Sequence, residues 1–178
     1  SYGIQPISVI SEASVSEVEK QGSVYPPVID KIKNLATDAT HPVCISISTW
    51  HADRSTDNSA MMSRFQTVYD TFKDNNPKVT IGYRGVGPTS LTSLRVTNYT
   101  QSDFQRNDSW QRYAVEPMRG IREYADVLYP EVTIINDDLE TWKQDCSAVL
   151  EEAKWNNPNK KIFACIMTCL LYTSPSPR

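Results

Sequence analysis

Two serines, Ser46 and Ser48, stand two residues apart in the run HPVCISISTW, residues 41–50. On a strand that spacing puts both hydroxyls on one face. A serine becomes a nucleophile only when a neighbouring base takes its proton. His41 precedes the strand at its opposite end and His51 follows a turn away, so neither is placed as that base and a serine-hydrolase reading is weak. The other chemistry within reach is acid–base work by carboxylates. Glu131 is expected at the C-terminal end of a strand, with Asp53, Asp137 and Asp138 in loops at the same face. Two carboxylates held close together could divide general-acid and general-base work between them. Plainer roles compete for each residue. Asp137 and Asp138 suit the N-cap of a following helix, Asp53 and His51 suit a surface ion pair with Arg54, and Glu131 suits a solvated strand end. Trp50 and Tyr83 sit at strand ends, where an aromatic ring either stacks on a ligand or forms the top layer of the core.

The elements that would position these residues show in the hydrophobic period. Apolar runs at 7–10, 43–48, 79–83, 127–133 and 162–167 predict five strands. Between them, Val28, Ile32, Leu35, Ala36 and Ala39 form one helical stripe, and Met61, Phe65, Val68, Tyr69 and Phe72 a second, after the cap-like cluster STDNS. Trp142, Cys146, Val149, Leu150 and Ala153 form a third. Residues 110–125 predict a further helix that Pro117 must kink or restart. Strands apolar on both faces and alternating with helices imply the α/β class, with parallel strands and right-handed crossovers. Two architectures compete: a five-stranded doubly wound sheet, and the first part of an eight-stranded (β/α) barrel, which usually needs about 250 residues. After the first strand, SEASVSEVEKQGSVYPP offers only Gly22 and no phosphate-cradling motif, which demotes a nucleotide or flavin site. No cofactor is expected.

Composition narrows the classes further. The 178 residues, 39% hydrophobic and with a net charge of -3, suit one domain and argue against a phosphate-backbone partner. No apolar run approaches the roughly 20 residues of a membrane span. The N-terminal SYGIQPISVI has no basic or apolar leader pattern, and the expectation is a chain clipped at its start. Cys44, Cys146, Cys165 and Cys169 form no CxxC pair and have no histidine at ligand spacing, so no metal is expected; for Cys44 and Cys165, inside apolar runs, the plain reading is a free buried thiol. Asn98 and Asn107 open glycosylation sequons, relevant in a secreted or extracellular setting, which is the compartment favoured.

A spaced set of features, VCISISTW, then NPKVTIGYRGVGP, then YADVLYPEVT, then VLEEAKWNNPNKKIFACIMT, resembles the hyaluronidase-like TIM-barrel glycoside hydrolases over about residues 42–168. In that family a strand ending in Asp-x-Glu and followed by Trp precedes a Gly-Tyr-Tyr-Gly strand and a Tyr-Pro-Ser-x-Tyr strand. Trp50, Gly82, Tyr83, Tyr129 and Pro130 match that pattern. Arg84 replaces the second tyrosine, Glu131 the serine and Thr133 the last tyrosine, while Ser46 and Ser48 occupy the Asp and Glu positions. The resemblance implies that the Glu protonates the glycosidic oxygen and the Asp orients the substrate's acetamido group. A serine can do neither at neutral pH, and loss of a general acid costs about 10²-fold or more in rate.

The resemblance therefore implies a carbohydrate ligand, held by Trp50, Tyr83, Arg84 and Tyr129, with Glu131 the candidate replacement acid. The alternatives are a non-catalytic glycan-binding barrel and a flavodoxin-like small-ligand domain. Residues 1–168 are expected to be a partial barrel. The tail 169–178, CLLYTSPSPR, resembles the product of translated sequencing-adapter DNA, the rival being a native Ser-Pro tail phosphorylated at Ser174 or Ser176.

Overall fold

In the computed structural model the apolar runs become short parallel strands and the stripes become helices laid against them; residues 6–17, 26–47, 50, 59–84, 120–134 and 139–168 are described. Strands β1 (Ser8–Ser11), β2 (Val43–Ser46) and β3 (Ile81–Arg84) form one parallel sheet in chain order. Ser8 pairs with Val43 and Val43 with Ile81, and the register runs on to Ser11, Ser46 and Arg84 at the C-terminal ends. β1 lies at the edge of this sheet, which is not the order that a flavodoxin-like arrangement requires.

The fourth and fifth apolar runs each form two strand pieces. β4 (Val127–Leu128) pairs in parallel with β6 (Lys161–Ile162), and β5 (Glu131–Ile134) with β7 (Cys165–Thr168). Pro130 has no N–H to give the ladder, which accounts for the interruption between β4 and β5. Two backbone bonds carry the pairing across the break: Phe163 N–H donates to Leu128 O at 2.9 Å and Cys165 N–H to Pro130 O at 2.9 Å.

β3 and β4 are neighbours through close backbone approach. Asp126 N–H donates to Ile81 O at 2.8 Å, and Ile81 N–H donates back to Asp126 Oδ2 at 3.0 Å. A Cβ on Gly82 would lie 2.3 Å from Val127 O and 2.8 Å from Tyr129 Cε2, so this position admits no side chain. The strands thus follow one another in space as they do along the chain. Among the described residues they form small parallel sheets and no closed barrel.

Helices α1 (Ile29–Asp38) and α2 (Ser59–Asn75) pack on one face of the β1–β3 sheet. Ile32 and Ala36 of α1 are buried, with Leu35 and Ala39 partly so; Met61, Phe65, Val68 and Phe72 of α2 are buried at helical spacing. They meet Ile45, Ile81 and Tyr83 from the sheet. The last carbonyls of α1 are satisfied from α2's end, where Asn76 Nδ2 donates to Ala36 O at 2.9 Å and to Ala39 O at 3.0 Å. Helix α3 (Leu139–Asn156) buries Ala148, Val149 and Ala153. Of the expected helix at 110–125, the described part is a turn ending in a 3-10 segment, Arg122–Tyr124; Pro117 lies outside the described residues. No helix among the described residues is long and apolar enough to cross a membrane.

Candidate functional site

Alternation along β2 and β3 sorts the proposed site residues onto two faces. Cys44 and Ser46 share a face with their register partners Gly82 and Arg84; Ile45 and Tyr83 point the other way, into the helices. The first face, the inner one, also carries Val127 and Tyr129, with Ile7, Phe163 and Cys165 packed against them and against Cys44.

Arg84 and Glu131 meet at the C-terminal level of β2 and β3. Arg84 Nε donates to Glu131 Oε1 at 2.6 Å, and the two side chains are 26% and 23% exposed, so the pair is half-buried. Glu131 opens β5 and three more strand residues follow it, so it stands level with the end of β3 but not at the end of its own strand. It accepts a charge-assisted hydrogen bond there, so its Oε1 is committed to the Arg84 guanidinium. That arrangement fits binding or base chemistry better than the proton-donor role expected of it. Glu131 in turn holds the Arg84 guanidinium more firmly protonated than usual.

Both aromatic platforms are corrected by the structure. Tyr83 is 3% exposed, its ring meets Phe65 edge-on at 4.7 Å, and its hydroxyl donates to Phe65 O at 3.2 Å. Trp50, 1% exposed, also meets Phe65 edge-on, at 5.4 Å. Neither ring has a face left for a sugar, because α2 occupies it. Tyr129 is on the inner face but buried, stacked on Phe163 at 5.8 Å and lying under Gly82. Its hydroxyl has no partner among the described residues, and burial pushes its ionisation well above the usual tyrosine range.

Ser46 is half-buried on the inner face, the register partner of Arg84. Ser48, His51, Asp53, Arg54, Asp137 and Asp138 lie outside the described residues. His41 is exposed ahead of β2, far from a base's position. Among the described residues no group of acids, histidines and cysteines could hold a metal ion.

Three features escaped sequence reasoning. Glu12, directly after β1, is buried at the end of the sheet where Ser46 and Arg84 lie. Asp126 joins α2 to β3 and β4, accepting from Tyr69 Oη at 2.9 Å and pairing with Lys73 Nζ at 2.6 Å. Cys165 packs against the inner-face cluster that holds Cys44, and the two thiols shift each other's ionisation, Cys44 upward and Cys165 downward. The cysteines had a signal: Cys44 stands two residues before Ser46 and so shares its face. No protein-family model matches the chain, and no curated protein matches it.

Proposed function

We propose that the chain is part of a carbohydrate-active (β/α) protein that binds sugar at the C-terminal level of its strands without the Asp-x-Glu acid pair of the hydrolases it resembles. The Arg84–Glu131 pair carries this reading. It bridges β3 and β5 on the same face as Ser46, one-quarter exposed, and offers planar donors and acceptors of the kind that recognise vicinal hydroxyls or an acetamido group. The burial of Trp50 and Tyr83 moves the expected contacts from aromatic stacking to these polar groups. Binding is favoured over hydrolysis because Ser46 stands at an acid position and Glu131 is engaged as an acceptor.

The test is calorimetric titration of the full chain with N-acetylhexosamine oligosaccharides, alongside release of reducing ends. Saccharide binding without turnover at any pH is expected. Arg84→Ala and Glu131→Ala should each weaken binding about tenfold, near 1.4 kcal/mol. Turnover that Glu131→Gln abolishes while binding persists would establish a hydrolase instead. A folded chain that binds no saccharide would sink both readings.

A further inference from the structure

The inner face holds a pair of thiols that the carbohydrate reading does not use. Cys44 on β2 is 1% exposed, and Cys165 on β7 is half-buried and packs in the same cluster, with Tyr129 and Phe163 beside them. The two strands belong to different sheets, so the cysteines come together only in the side-chain cluster of the inner face. We infer that Cys165 and Cys44 are a redox-active dithiol, with half-exposed Cys165 as the attacking sulfur and buried Cys44 as the resolving one, whose co-substrate is a low-molecular-weight disulfide.

Their surroundings give the two sulfurs different characters. Cys165 is pushed down to about 7, first because its sulfur accepts the Cys44 hydrogen bond and further by the Arg84 guanidinium, against its own burial and the Glu131 carboxylate. The same bond, with burial, pushes Cys44 up. A thiol titrating near ambient pH is the better attacker, and a shielded partner close by is suited to resolving. Arg84, Glu131 and Tyr129 are the charged and titratable groups coupled to the pair.

The chemistry balances. The Cys165 thiolate attacks one sulfur of the added disulfide, whose S–S bond breaks and releases one thiolate that takes a proton. Cys44, giving up its proton, then attacks the Cys165 sulfur and expels the second thiolate. The dithiol loses two electrons, the added disulfide gains them, and a bond joins β2 to β7.

The experiment treats the reduced full chain with oxidised glutathione, quenches with acid, alkylates, digests without reductant and reads peptide masses. The expected product links the Cys44 and Cys165 peptides, is lighter by the two thiol hydrogens, reverts with dithiothreitol, and forms ahead of any link to Cys146 or Cys169. Cys44→Ser should trap glutathione on Cys165, and Arg84→Gln should slow that capture roughly threefold or more at neutral pH. A Cys146→Ser, Cys169→Ser chain, checked for folding by circular dichroism, should still close the link. The proposal is overturned if the native chain gives the same mixture of links as the urea-unfolded chain, or if Cys165 is captured while Cys44 stays alkylatable.

Discussion

At the residue scale, Arg84 and Glu131 decide whether the inner face is a site or only a solvated strand end. An ion pair about one-quarter exposed is worth little to the fold, so a double-mutant cycle of Arg84→Ala and Glu131→Ala should return a coupling of about 1 kcal/mol or less in urea unfolding. A much larger coupling would make the pair structural and weaken its claim as a ligand contact. Tyr83 is the converse case. Tyr83→Ala should cost about 3–5 kcal/mol by emptying the space beside Phe65, whereas Tyr83→Phe should cost about 1 kcal/mol, the value of its bond to Phe65 O, and leave saccharide affinity unchanged. A Tyr83→Phe chain with weakened sugar binding would mean that the hydroxyl serves the ligand as well as Phe65 O. The adjacent residues Tyr83 and Arg84 show what the sequence could convey. Their types suggested a ligand site at a strand end, but which of two neighbours faces the ligand depends on which side the helices take, and one residue of phase reverses the answer.

At the scale of elements, the helical stripes were readable because period alone sets them: Ile32 and Ala36, then Phe65, Val68 and Phe72, are buried as their spacing predicts. The strand runs were readable as apolar stretches, but not their division at Pro130, which follows from a missing donor in a ladder whose partner lies some thirty residues on. The approach of β3 to β4 gives a sharp expectation. Gly82→Ala should destabilise by about 1–3 kcal/mol, since the obstructing atom is backbone, Val127 O, and cannot swing aside. An unchanged urea midpoint would mean that the strands separate readily there. The Tyr69–Asp126 contact gives a pH expectation. Burial first, then the hydrogen bond to Asp126 and that residue's charge, push Tyr69 up to about 12 from 10. Between those values the unfolded chain has lost the phenolic proton and the folded chain keeps it, so this contribution is whole below pH 10 and is lost as pH rises towards 12. Tyr69→Phe should therefore flatten the alkaline fall in stability, and an equally steep fall would assign it to other groups.

For the whole molecule, the unit order and the parallel sense of the strands could be read from alternating runs, because each crossover is built from neighbouring segments. The gathering of Cys44, Tyr129 and Cys165 on one face could not, since it depends on contacts between residues more than eighty positions apart. The two ends of the strand order carry apolar groups in solvent, Val9 on β1 at 64% exposure and Ile166 on β7 at 60%. Strand edges with such groups are templates for association. Sedimentation should show concentration-dependent self-association that Val9→Lys with Ile166→Lys reduces; a wild-type chain that stays monomeric at all concentrations would refute this.

Asp126 bears on how freely this chain can vary in length. By binding Ile81 N–H, Tyr69 and Lys73 it fastens the start of β4 to the start of β3 and to α2. Once the two ends are pinned, doubling a connecting segment costs only about 0.6 kcal/mol in closure entropy. While Asp126 is kept, closure entropy alone therefore sets only a weak limit on the length of chain that joins β3 to β4.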